Sequence, residues 1–254
     1  RPERALRRRG RAATAPRRFG RALLLAALLG ATAGAGLGCR TRVPEPSPPL
    51  GGELVLFDPA AALLERWDHI ELEGATEWRL VARGEAVAIR ARADGTASGL
   101  IRRVVFEATE CPRAEWSWRV DALPESADLR ERSGDDVGAA LFVFFGDPTG
   151  GDALLPRPVP VLRYAWTGPR HAPGEVIQSP YLPGHLRTVV LRAGSAELGH
   201  WVIEQRNLVQ DYRMAFGSPP ENPVEGIALF SDSDQTGEAT EAYFGSGRVR
   251  CEGP

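Results

Sequence analysis

Between Glu115 and Asp121 large apolar and polar side chains alternate without a break. Trp116, Trp118 and Val120 fall on one side of an extended chain, Ser117, Arg119 and Asp121 on the other. A strand sends successive side chains to opposite faces, whereas a helix would scatter this set around its circumference. The segment therefore reads as a half-buried strand. Val87, Ile89 and Ala91 alternate with Arg90 and Arg92 in the same way. Val137–Phe145 is nearly all apolar, as expected of a central strand covered on both sides. Further strands are expected at Glu53–Phe57, Gly99–Phe106, Leu162–Trp166, Thr188–Arg192, Trp201–Glu204, Gly226–Ser231, Glu241–Phe244 and Arg248–Cys251. Two short helices are expected. One runs from the Asp58-Pro59 cap to Arg66. The other is Leu208–Phe216, where Leu208, Tyr212 and Phe216 recur at four-residue spacing. Many short strands with one or two short helices predict an all-β fold, an antiparallel β-sandwich. A parallel α/β sheet would need long crossover helices that the pattern lacks.

The first 39 residues have a different character. Residues 1–21 are rich in Arg, Ala22–Leu29 is an apolar run, and small residues lead to Gly38-Cys39. This is the three-part layout of an export signal, and its apolar run is too short for a mature membrane span. A Cys directly after small residues resembles the lipobox of bacterial lipoproteins. That resemblance implies that Cys39 carries lipid and becomes the mature N-terminus; an ordinary cleaved signal with an incidental Cys is the alternative. Arg40–Gly52 holds Pro44, Pro46, Pro48 and Pro49, a stiff tether that cannot form a helix. The expected organisation is an export signal over 1–39, a tether over 40–52 and one domain over 53–254. The expected location is periplasmic and membrane-anchored. Met214 is the only Met, so the chain is expected to begin inside a longer reading frame.

Charge narrows the function. Residues 1–39 contain nine of the 31 basic residues and one of the 33 acids, leaving 22 against 32 in residues 40–254, a net of −10. An acidic body repels phosphate backbones, so nucleic acid is not an expected partner. Every basic residue is Arg, which excludes a Schiff-base lysine and a phosphate-loop lysine. In an oxidising compartment Cys111 and Cys251 are left as a pair, to be joined as a disulfide or buried as two free thiols.

Four constellations can carry chemistry. Asp135-Asp136 precedes the apolar strand and can bind a cation or cap a turn. Asp232 and Asp234, at alternate positions of a turn, can converge on Ca²⁺, although Tyr243 stands where a calcium loop of the EF-hand type wants Glu. No other cofactor is expected. Arg119, Glu204 and Arg206 are expected to form one charge network, for ligand binding or for structure. Tyr164, Trp166, Tyr181 and Trp201 are flat rings of the kind that stack sugars, or else core residues.

Several of these motifs occur in a fixed order. Trp116-Ser117-Trp118-Arg119-Val120-Asp121 is followed by Gly134-Asp135-Asp136 and Tyr164-Ala165-Trp166. Glu204-Gln205-Arg206-Asn207, Asp211-Tyr212, Gly226-Ile227-Ala228, Asp232-Ser233-Asp234 and Ala242-Tyr243-Phe244-Gly245 come after them. The order resembles a bacterial family known as domain of unknown function 3047. The last strands also look like concanavalin-type jelly rolls that bind or cleave glycans. That likeness implies a jelly-roll-like layout and leaves two functional expectations. One is a non-catalytic envelope module binding a glycan or another envelope component through Arg119, Tyr164, Trp166, Tyr181 and Arg206. The other is a carbohydrate hydrolase or lyase using carboxylates such as Asp135, Asp136 and Glu204.

Overall fold

The alternating segments become two packed sheets. A computed structural model describes residues 52–59, 67–83, 86–148 and 158–252. The export signal, Cys39, the tether as far as residue 51 and the body of the helix expected after Asp58 lie outside them.

Thirteen strands are described: β1 (Glu53–Phe57), β2 (Asp68–Glu73), β3 (Glu77–Arg83), β4 (Ala86–Ala93), β5 (Ala97–Phe106), β6 (Arg113–Ala122), β7 (Ala139–Phe145), β8 (Val161–Thr167), β9 (Val176–Gln178), β10 (Leu186–Ala193), β11 (Val202–Asn207), β12 (Val224–Asp232) and β13 (Thr240–Arg250). One sheet has the order β11-β6-β13-β4-β3, with β1 beside the end of β13; the other runs β2-β5-β12-β7-β8-β10-β9. Neighbouring strands are antiparallel except β8 and β10, which pair in parallel with Leu186 opposite Val161. That pair departs from the purely antiparallel expectation. The chain between the two strands folds back through β9, which adds antiparallel to the outer side of β10. The two segments expected near the C-terminus are one strand, β13, bulged between Phe244 and Gly247. β2, β3 and β9 were not expected.

The inner faces meet on Trp116, Trp118, Tyr164, Trp166, Leu141, Phe145 and Phe244. Rings of Trp116 and Trp118 meet edge-on at 5.6 Å, and Trp118 meets Trp166 at 6.2 Å. Each such side chain contributes roughly 1.5–3 kcal/mol by leaving water. The seven-stranded sheet is apolar on its other face too, through Phe142, Phe144, Phe230, Ala140 and Ala228. This double burial is why β7 has no polar residue.

Among the described residues one α-helix, α1 (Leu208–Phe216), leaves β11 directly. Asn207 accepts a hydrogen bond from the Gln210 N–H at 3.0 Å, the usual N-terminal cap. Gly217 ends the helix at φ +84°, a conformation only glycine takes without strain. Tyr212 lays its ring against Phe145 at 4.6 Å and fastens α1 to the core.

Candidate functional site

Period two fixes what the six-stranded sheet shows outside. With Trp116, Trp118 and Val120 turned inward, β6 presents Arg113, Glu115, Ser117, Arg119 and Asp121 outward. Pairing register sets Arg248 and Gln205 on either side of Glu115, and Arg250 and Asn207 on either side of Arg113. Gln205 Nε2 donates to Glu115 Oε2 at 2.8 Å, and Arg248 Nη2 donates to Glu115 Oε1. Those two hydrogen bonds hold the Glu115 carboxyl below the usual carboxylate range. Where β6, β11 and the start of α1 meet there is a groove of about 460 Å³, walled by Arg113, Glu115, Gln205, Arg206, Gln210 and Arg250 among others.

Each arginine around this groove has a carboxylate partner. Arg113 Nε donates to Glu252 at 3.0 Å and Arg250 Nε to Glu53 at 2.9 Å. Arg248 pairs with Glu115, and Arg206 grips Asp211 with two nitrogens.

Beyond the groove the outward row of β11 turns apolar. Ile203 is 65% exposed and Trp201 41%. Trp201 lies over Gly245, where an added Cβ would collide with the Ser117 hydroxyl and touch the indole at 3.5 Å. The row Trp201, Ile203, Gln205, Asn207 thus passes from a flat ring to amides over ~20 Å of strand.

The residues singled out from sequence separate into several places. Arg119 is on the outward face; it donates through Nε and Nη2 to Asp121 and, with Arg83, covers the Tyr243 ring. Glu204 and Arg206 leave the opposite face of β11, the edge strand, and Arg206 reaches the groove at that edge, so the three charges do not form the single network expected. Glu204, 7% exposed, accepts from Trp118 Nε1 at 3.1 Å and Arg192 Nε at 2.9 Å. Held in that ion pair at the sheet margin, it is not an open-groove carboxylate, which removes it from the hydrolase reading. Tyr164 and Trp166 are fully buried between the sheets, because both alternate inward on β8, and they offer no ring to a ligand. The Tyr164 hydroxyl donates to Asp211 Oδ2 at 2.8 Å; burial, then the charge of Asp211, pushes its pKa well above normal. Tyr181 packs against the apolar cluster of the seven-stranded sheet and donates its hydroxyl to the Arg132 carbonyl at 2.8 Å.

The acidic motifs meet at one end of the seven-stranded sheet. Asp135 accepts from Arg163 Nη2 at 2.7 Å, and Arg163 Nε donates to Thr188 at 2.7 Å, all three buried. Asp136 accepts the N–H groups of Gln235 and Thr236, and Asp232 accepts the Val137 N–H at 2.8 Å. Carboxylate oxygens of Asp136, Asp232 and Asp234 lie within 4.8 Å of one another. Burial raises the Asp136 pKa and the Asp234 charge adds to it, against the N–H bonds from Thr236 and Gln235. Three hard oxygen donors are the ligand chemistry of Ca²⁺. Elsewhere Cys111 and Cys251 are joined as a disulfide.

Sequence reasoning passed over Arg113, Glu115, Gln205, Arg248, Arg250 and Asp211 as site residues. The available signal was the outward alternation of β6 and β13 read together, which needs the pairing register to become a site.

No curated protein matches the sequence. Several solved structures are similar in layout at low score. The family 11 carbohydrate-binding module of the cellulosomal cellulase Lic26A-Cel5E of Clostridium thermocellum is 8% identical with a TM-score of 0.43, covering 80% of this chain and 96% of that one. The same organism's family 11 module in complex with a β-1,3-1,4-mixed-linked tetrasaccharide gives 8%, 0.41, 80% and 97%. The K1 cleaved adhesin domain of Lys-gingipain from Porphyromonas gingivalis W83 gives 14%, 0.41, 80% and 100%. None of these lends the chain a ligand. A family model matches residues 65–247, and the chain belongs to that family, described as protein of unknown function (DUF3047).

Proposed function

We propose that this chain is a non-catalytic glycan-binding module, exported to the periplasm and held at the membrane by lipid on Cys39. The observation that carries the reading is the outward row of β11. An exposed indole and an isoleucine adjoin a groove of amide, guanidinium and carboxylate groups. Sugars present apolar C–H faces to aromatic rings and hydroxyls to such polar groups, the pattern of a shallow saccharide site. The carboxylates named for a hydrolase are engaged: Glu204 by Arg192, Asp135 by Arg163, and Asp136 by the N–H groups of Gln235 and Thr236. In the same reading Asp136, Asp232 and Asp234 take up Ca²⁺ as a structural ion that ties the β12–β13 turn to the start of β7.

Melting in the presence of soluble oligosaccharides and peptidoglycan fragments tests the proposal, because a ligand that binds only the folded state raises Tm. A rise that Trp201→Ala cancels, with the unliganded Tm unchanged, supports it. An unmoved Tm across the panel refutes it. Replacing Cys39 by Ser should move the protein from the membrane to the soluble fraction.

A further inference from the structure

The charge pattern around the groove says which glycans it accepts. We infer that the groove is built for an uncharged sugar chain and discriminates against uronic acids and other anionic saccharides; this rests on the glycan-binding reading above. Arg113, Arg206, Arg248 and Arg250 are each matched by a carboxylate within hydrogen-bond reach. Counted together with Arg248, Glu53 and Glu252 just beyond its walls, the four positive charges of the groove and its rim are answered one for one by carboxylates.

An anionic ligand needs an arginine whose charge is not already answered, since bidentate guanidinium–carboxylate pairing is what recognises it. To reach Arg248 or Arg206, a uronate would have to displace Glu115 or Asp211. Each displaced carboxylate would then lie beside a second negative charge without its partner. A sugar hydroxyl meets no such conflict. It donates to a carboxylate oxygen and accepts from a guanidinium N–H at once, and neighbouring hydroxyls on a ring offer that pair of roles repeatedly. Glu115 illustrates the fit: Gln205 and Arg248 flank it, so acceptor and donors lie within one hydroxyl's reach of each other. The stretch at Trp201 and Ile203 offers exposed apolar surface to the rest of the sugar chain.

The test is calorimetric titration of the protein, freed of its lipid, with cellohexaose, chitohexaose and oligogalacturonate of equal length, at 50 and 300 mM NaCl. A neutral oligosaccharide should bind at least tenfold tighter than the uronate, and its Kd should change less than twofold with salt. In Glu115→Gln the groove gains net positive charge, so neutral affinity should fall while uronate affinity rises; a merely structural role of Glu115 would lower both. Uronate binding as tight as neutral binding, or a neutral Kd that weakens tenfold with salt, overturns the inference while leaving a glycan module. Binding of none of the three overturns the inference, and if the wider saccharide panel also leaves Tm unmoved the glycan reading falls with it.

Discussion

The Tyr164 hydroxyl donates to Asp211 Oδ2 at 2.8 Å, a buried bond that joins β8 of one sheet to α1. Arg206 Nε takes the same oxygen at 2.9 Å, so this one carboxylate ties β8, α1 and β11 together. Tyr164→Phe removes one donor and leaves Asp211 served by Arg206; the expected cost is about 1 kcal/mol. Asp211→Ala strands the phenol and the guanidinium together, and the expected cost is about 3 kcal/mol. Arg206 can turn partly to water, which keeps that figure at the low end for a broken buried pair. Urea denaturation ranks the two variants. Equal losses would show that the carboxylate matters only as Tyr164's acceptor.

The disulfide closes a loop of 140 residues between the start of β6 and the end of β13. Cross-linking so long a loop removes chain entropy from the unfolded state, worth about 4–5 kcal/mol in the chain-entropy model. Reduction, or Cys111→Ser with Cys251→Ser, should shift the urea midpoint down by a matching amount. Superimposable curves with and without dithiothreitol would contradict this.

Acid should weaken the fold through a specific set of carboxylates. A hydrogen bond from Gln205 and then one from Arg248 lower the Glu115 pKa; Arg90 lowers Glu241 and Arg130 lowers Asp128. A carboxyl with a folded pKa below its unfolded value of ~4 contributes stability that is complete above that value and disappears as pH falls through the folded one. Stability should therefore hold from pH 7 to about 5 and drop below about 4. Glu115→Gln should flatten part of that drop. A midpoint unchanged between pH 7 and pH 3 would rule the mechanism out.

Much of the sandwich was legible because alternation reports on burial. β6 and β7 were readable since one face or both are covered, and burial then dictates the residues. β2 and β3 end their sheets, and in Asp68–Glu73 the alternation rests on Ile70 and Leu72 alone, too few apolar positions to mark a strand by themselves. Gly245 and Gly247 look like the end of a strand in sequence; in three dimensions they are a bulge inside one. The site was less legible. Sequence left Tyr164 and Trp166 open between ligand rings and core, because aromatic side chains mark cores and saccharide platforms alike; their inward register on β8 decides for the core. The Asp136–Asp232–Asp234 cluster was half visible, as two acidic motifs far apart in the chain whose meeting depends on β7 and β12 being neighbours. The groove needs the register of three strands, which no single segment encodes.

The bulge in β13 brings a glycine against an aromatic ring. Gly247 lies opposite Phe57, and a Cβ at position 247 would overlap the Phe57 ring. Phe57 is fully buried at the end of β1. Gly247→Ala should therefore cost about 1–3 kcal/mol as overpacking. It should also loosen the pairing of β1 with β13, read as faster amide exchange at Leu54 and Val249, whose register faces them across the two strands. Pairing Gly247→Ala with Phe57→Leu should recover part of the loss, since the smaller side chain gives up the space that the new methyl needs. If the double variant is less stable than Gly247→Ala alone, the glycine is required for the backbone of the bulge and not for the ring that packs on it.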